Sequence, residues 1–188
     1  MRILPCLIGL LLVASAGQAQ TPQPPLVVHV IDCADVPASV MRVAEHTVTQ
    51  AFRSVGIRAL WREDAGPDRE ASGPHVTVVI LSKDMSRRKT ARDATPGNAL
   101  GTAAPEARRA WIFIDRIHDV ADLHQASPGA VLGIVTAHEV AHAAGLSHSH
   151  DGIMEPQLRF SGNPVRGFNA GEGQQLKLAL SRVAGDGR

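Results

Sequence analysis

The chain has 188 residues, 44% of them hydrophobic, with 19 basic against 18 acidic side chains and a net charge of +1. That length suits one domain with a core of its own, and apolar content spread along the chain excludes intrinsic disorder for most of it. Balanced charge gives no electrostatic footprint for nucleic acid or for an anionic membrane surface.

The opening MRILPCLIGLLLVASAGQAQ places Arg2 ahead of an apolar run from Ile3 to Ala14 and ends on Gly17-Gln18-Ala19, a small-x-small cleavage sequence. This is the pattern of a secretory signal peptide over 1–19, with a mature chain from Gln20 that is exported, either secreted or periplasmic. The run is too short for a membrane span, and cleavage would remove Cys6. Cys33 is then the sole thiol, so no internal disulfide is expected and the residue reads as a small buried hydrophobe. After a short proline-rich lead the patterned chain begins at Leu26, which leaves no room for a long inhibitory pro-segment.

LVVHVI, Leu26 to Ile31, reads as a strand from its β-branched content. Val36 to Gly56 reads as a helix: Pro37 suits a first turn, Val40, Val43, Ala44, Val48, Ala51 and Phe52 recur at helical spacing, and Gly56 closes it. IRALWR predicts a second strand, DAGPDREASGP a surface loop and HVTVVIL, His75 to Leu81, a third strand. The stretch from Ser82 to Ala107 is long, polar and rich in glycine and proline, and predicts a loop whose Arg87, Arg88, Lys89 and Arg92 face solvent. Arg109 to Ile117 predicts a fourth strand, with Trp111, Phe113 and Asp115 on one side and Ile112 and Ile114 on the other. SPGAVLGIVTAHEVAHAAG is a helix with Ser127 as N-cap, Pro128 at the first helical position and Gly145 just past the end.

That helix carries the chemistry. At 3.6 residues per turn His138 and His142 lie one turn apart on the same face, close enough for both imidazoles to hold one ion. Glu139 flanks them, as suits a base acting on a metal-activated water. Gly145 lets the backbone leave the helix, so that His148 can return as a third ligand, with His150 as its competitor. Three nitrogen ligands with one open position describe a catalytic zinc site, because structural sites close all four positions. Residue frequencies give HExxHxxGxxH by accident in about one such chain in ten thousand. Incidental polar residues on a buried helix would also carry the cost of unpaired groups.

His138, Glu139, His142, Gly145 and His148, followed by Met154 in GIMEP, resemble the metzincin zinc peptidases, whose signature is HExxHxxGxxH and a methionine turn. GLSHS followed by IMEP looks most like the matrixin-like branch and its small bacterial secreted members. The resemblance covers nearly all of the mature chain. It implies an α+β fold: a twisted mixed sheet with two long helices in an upper subdomain, about 26–146, and a short lower subdomain, about 147–188, ending in a helix. FNAGEGQQLKLALSRV fits that last helix, with Asn169 as cap and Leu176, Leu180 and Val183 on one stripe.

The implied activity is that of a monomeric zinc endopeptidase. One Zn2+ would sit on His138, His142 and His148, with Glu139 as general base and Met154 as an apolar floor. Peptide or protein substrate would add along an edge near LGTAAP and RRAWIFI. Which residues shape a specificity pocket is not legible; GNPVRGF reads as a connecting loop or as a pocket wall. The chain departs from the family's pattern in several places, the first being the short interval from His148 to Met154, which requires a tight turn under the metal. It has no tyrosine, so a tyrosine ligand or switch of the astacin or serralysin kind cannot exist, and Cys33 lies in the wrong context for a cysteine switch. A zinc-binding protein of the same fold without turnover, and a structural domain with incidental histidines, are the competing readings.

Overall fold

Valine and isoleucine at alternate positions in three short runs build the frame. In the computed structural model, which describes residues 24–63, 73–160 and 167–185, these runs are β1 (Leu26–Cys33), β3 (His75–Leu81) and β5 (Arg109–Phe113). With β2 (Ala59–Arg62) and β4 (Gly101–Ala104) they form a five-stranded sheet in the order β2-β1-β3-β5-β4. All neighbours are parallel except β4, which runs antiparallel to β5 at one end of the sheet. The helices are α1 (Ala38–Arg53), α2 (Lys83–Asp93), α3 (Ile114–His124), α4 (Pro128–Ala143) and α5 (Ala170–Gly185). The fold is therefore mixed α+β. The expected signal peptide, most of the DAGPDREASGP loop and residues 161–166 lie outside the described residues, as does the side chain of Val183.

Strand register decides which side chains face which layer. Val28 pairs with Val76, Val30 with Val78, Val78 with Ala110 and Ile80 with Ile112, which puts all seven on one face. Each is at most 2% exposed, and they pack in one core with residues of α1 and α4. Burial of this kind contributes about 1.5–3 kcal/mol for each valine or isoleucine. On the opposite face Trp111 is only partly covered, by Lys89 of α2, whose ammonium lies 3.6 Å from the ring centroid.

Helix α4 is buried on nearly every side and mostly apolar, as suits a central helix, and packs against α1, α3 and three strands. Gly133, like Gly129 one turn earlier, permits close approach to α1: a Cβ at Gly133 would lie 2.5 Å from Thr47 Cβ and 2.8 Å from the Ala44 carbonyl oxygen. A Gly133→Ala protein is expected to lose about 1–3 kcal/mol of stability by overpacking, read as a lower urea midpoint with an unchanged slope. An unchanged midpoint would mean that the helices separate freely.

Several expectations need correction. The Ser82 to Ala107 stretch is not a plain loop, because α2 and β4 lie within it. Lys89 is buried rather than solvated, and its Nζ lies 2.5 Å from Asp93 Oδ2. Arg92 foremost, with Lys89, holds the Asp93 carboxyl down to about 2. The fourth strand stops at Phe113, and Ile114 and Asp115 open α3 instead. Pro37 is the cap of α1, one residue ahead of the first turn. Met41 joins the buried stripe of α1, whereas Val43 is 41% exposed. Cys33 is half-exposed at the end of β1 rather than buried.

Candidate metal centre

Ser127 accepts from the Ala130 N–H and Pro128 opens the helix, so α4 starts where its sequence directs. Its other end is a glycine-terminated turn. Gly145 adopts φ +98, its N–H donates to the His142 carbonyl at 2.8 Å, and the Leu146 N–H donates to the Ala141 carbonyl at 3.0 Å. The turn brings the Leu146 carbonyl to within 2.7 Å of His142 Nδ1. Farther on, the Ile153 carbonyl lies 2.7 Å from His138 Nδ1.

Carbonyl oxygens only accept, so both Nδ1 atoms carry the proton and both Nε2 atoms present a lone pair. His142 Nε2 lies 3.0 Å from His138 Nε2 and 3.1 Å from His148 Nε2. Among the described residues these three form the cluster that could hold a metal ion; His150 stays outside it and is exposed. The lone pairs of His138 and His142 Nε2, facing each other at 3.0 Å, repel unless a cation or a proton lies between them. A tetrahedral ion bound at about 2.0–2.1 Å separates its ligand atoms by about 3.4 Å, so the residues fit such a group.

Burial pulls the His138 pKa down to about 4, against the Ile153 hydrogen bond, which raises it. Burial also lowers that of His142. Both imidazoles are thus neutral near pH 7, the form that binds a metal.

Glu139 is 7% exposed, and burial pushes its carboxyl up to about 8. A cation on the neighbouring imidazoles would favour the charged carboxylate. Its stem rests against the edge strand. Gly101 pairs with Ile112 and shares the α4-facing side of the sheet; a Cβ there would lie 2.7 Å from Glu139 Cγ and 2.9 Å from Oε1.

His138, Glu139, His142 and His148 all border one cleft of about 630 Å³. Val120 and His124 of α3 also line it, as do Leu158 and Phe160, beyond the turn that carries Met154. The sequence could not point to Val120 and His124, because α3 itself was not recognised. Gly167 and Phe168, the described end of GNPVRGF, do not line it; Phe168 packs on Phe52 in the core, with ring centroids 4.9 Å apart. Met154 is fully buried in that core.

Glu172, also missed, is buried at the start of α5, where its Oε1 accepts from the Met154 N–H at 3.0 Å and its Oε2 from the Asn169 N–H at 2.7 Å. Asn169 Oδ1 in turn accepts from the Glu172 N–H at 2.8 Å, a reciprocal cap legible in the spacing Asn169-x-x-Glu172.

Fold and site together define a mixed α+β protein with three convergent imidazoles in a cleft beneath an antiparallel edge strand. Among solved structures the chain is similar to archaemetzincin from Methanopyrus kandleri, with a TM-score of 0.51 and 13% identity over 91% of this chain and 100% of that one. It is also similar to a zinc-dependent peptidase from Methanocorpusculum labreanum, with a TM-score of 0.46 and 12% identity over 81% of this chain and 99% of that one. The likeness to archaemetzincin establishes the fold. No family model matches the chain, and no curated protein does.

Proposed function

We propose that the chain is an exported zinc-dependent endopeptidase of the metzincin type, nearest in its motif to the matrixin-like branch. The observation that carries the reading is the convergence of three imidazole nitrogens beside a buried carboxylate in an open cleft. The archaemetzincin-like fold supports it, and the sequence of residues 1–19 supports export. His138, His142 and His148 would hold one zinc ion through Nε2. When bound, zinc supplies Lewis acidity, polarising a carbonyl and making water acidic enough to attack near neutral pH.

The chain's own groups supply the remainder. Glu139 takes the proton of the attacking water and returns it to the leaving amine. β4 ends the sheet, so an extended substrate can pair with its outer edge as an added strand, read by shape more than by sequence. The scissile bond would then lie over Glu139, which Gly101 leaves room for. A carboxylate buried in this position has no use in metal storage alone, and this separates the reading from a silent zinc-binding protein.

Zinc measured by mass spectrometry on the mature protein recovered from the exported fraction, with cleavage of unfolded casein followed in the same samples, tests the proposal. Near one zinc per chain with chelator-sensitive cleavage is the expected result. Zinc without cleavage of casein or of a broad peptide library would favour the silent binding protein.

Arg116 gives a finer test. Its Nη1 donates to the carbonyls of Ala99 and Pro96, at 2.5 and 3.1 Å, and its Nη2 to Thr90 Oγ1 at 2.9 Å. These bonds tie down the segment leading into β4. Arg116→Met is expected to raise KM about 5- to 20-fold with a smaller change in kcat, because the segment orients bound substrate without touching the reacting atoms. A fall in kcat alone would contradict that role.

A further inference from the structure

We propose that Glu172 is a positioning residue for the metal centre, acting on His138 through the single peptide group between Ile153 and Met154. The inference rests on the metal-centre reading above and extends it to a carboxylate far along the chain.

The two ends of that peptide group are both engaged. Its N–H, on Met154, donates to Glu172 Oε1 at 3.0 Å, and its carbonyl, on Ile153, accepts from His138 Nδ1 at 2.7 Å. A continuous line therefore runs from a carboxylate through one amide to an imidazole whose other nitrogen faces the cleft. A negative charge on the N–H side polarises the amide and strengthens its carbonyl as an acceptor. A carbonyl that accepts the Nδ1–H more strongly fixes the ring and raises the basicity of Nε2, the effect a carboxylate has when it contacts a ligand histidine directly.

Helix capping alone does not account for this arrangement. A glutamate at the third position of a helix needs one oxygen to close the reciprocal cap, and Oε2 does so with the Asn169 N–H. Oε1 is directed elsewhere, to the Met154 N–H and to Ser149 Oγ at 2.6 Å, 18 and 23 residues earlier in the chain. The turn is shaped to admit it. Gly152 has φ +85, and a Cβ there would fall on the Glu172 carboxylate. The Ser149 N–H closes the turn on the Met154 carbonyl at 3.0 Å, and Asn169 Nδ2 holds the Asp151 carbonyl at 3.1 Å. Glu172 is 3% exposed, so solvent does little to weaken its field on the amide.

Glu172→Gln keeps the shape and removes the charge. Asn169→Ala removes the side-chain half of the reciprocal cap, the bond from the Glu172 N–H to Asn169 Oδ1, and both Nδ2 bonds to Asp151, while leaving the carboxylate, its bond from the residue 169 backbone N–H and the peptide link, and it controls for loss of helix stability. Three readouts on the purified mature protein decide: the zinc dissociation constant by competition with a chelating dye, the visible spectrum with cobalt(II) in place of zinc, and the His138 Nδ1–H proton resonance. Glu172→Gln is expected to weaken zinc binding about 10- to 100-fold, alter the cobalt spectrum and move the Nδ1–H resonance upfield. Asn169→Ala is expected to lower the melting temperature but keep native zinc affinity and spectrum. Native affinity, spectrum and resonance in Glu172→Gln, or equal losses in both variants, would overturn the proposal. A native protein that binds zinc but cleaves nothing would sink the peptidase reading and leave these metal readouts decisive; one that takes up no metal would sink both.

Discussion

Glu139→Gln is expected to lower casein hydrolysis by about 10²- to 10⁴-fold while zinc stays near one per chain. Glutamine has the volume of glutamate and fits the space against Gly101, so neither a cavity nor a clash accompanies the change. An amide cannot take up the proton of an attacking water. It also has no charge to desolvate in a site where glutamate is 7% exposed, so the fold should not suffer. Hydrolysis near the native rate would remove Glu139 from the mechanism. Loss of zinc together with activity would make the residue a prop for the ligands rather than the base.

Removal of the ion tests the other half of the site. Zinc at about a thousand times its dissociation constant stabilises the form that binds it by about 4 kcal/mol, or about 10 °C in a domain of this size. Chelation of the native protein is expected to abolish cleavage and lower the melting temperature by that amount. His142→Ala should show neither cleavage nor any zinc-dependent shift, since His142 Nε2 lies between the other two, 3.0 and 3.1 Å from them. A zinc-dependent shift that survives in His142→Ala would place the ion elsewhere.

What the sequence disclosed followed the strength of each local signal. β1 and β3 are β-branched runs, and α4 has a capping serine, a proline and a terminal glycine; all three lie where those signals place them. α2 buries only Ser86 and Lys89, so it has no apolar stripe to detect, although lysine and arginine are good helix formers. α3 was hidden for the opposite reason. Ile114 continues the apolar run of β5, and only the later spacing to Ile117 and Ala121 reveals the change of period. Gly-Thr-Ala-Ala in β4 has one strand-favouring residue in four, Thr102, and owes its conformation to pairing with β5.

At the site, the ligand spacing on one helix was readable, as was the return of His148 after Gly145. The cleft wall and the bond from Glu172 to Met154 were not, because each joins segments whose approach depends on the whole fold.

The Lys89 ammonium over Trp111 has an optical consequence. Trp61 and Trp111 are the chain's two tryptophans, and with no tyrosine they account for nearly all of its near-ultraviolet emission. Trp111 pairs with Thr102 on the edge strand, whereas Trp61 lies in β2 at the other end of the sheet. The protein thus has an intrinsic fluorophore next to the strand on which a peptide would lie, its emission tuned by a cation 3.6 Å from the ring centroid, and a second at the far margin to serve as internal reference.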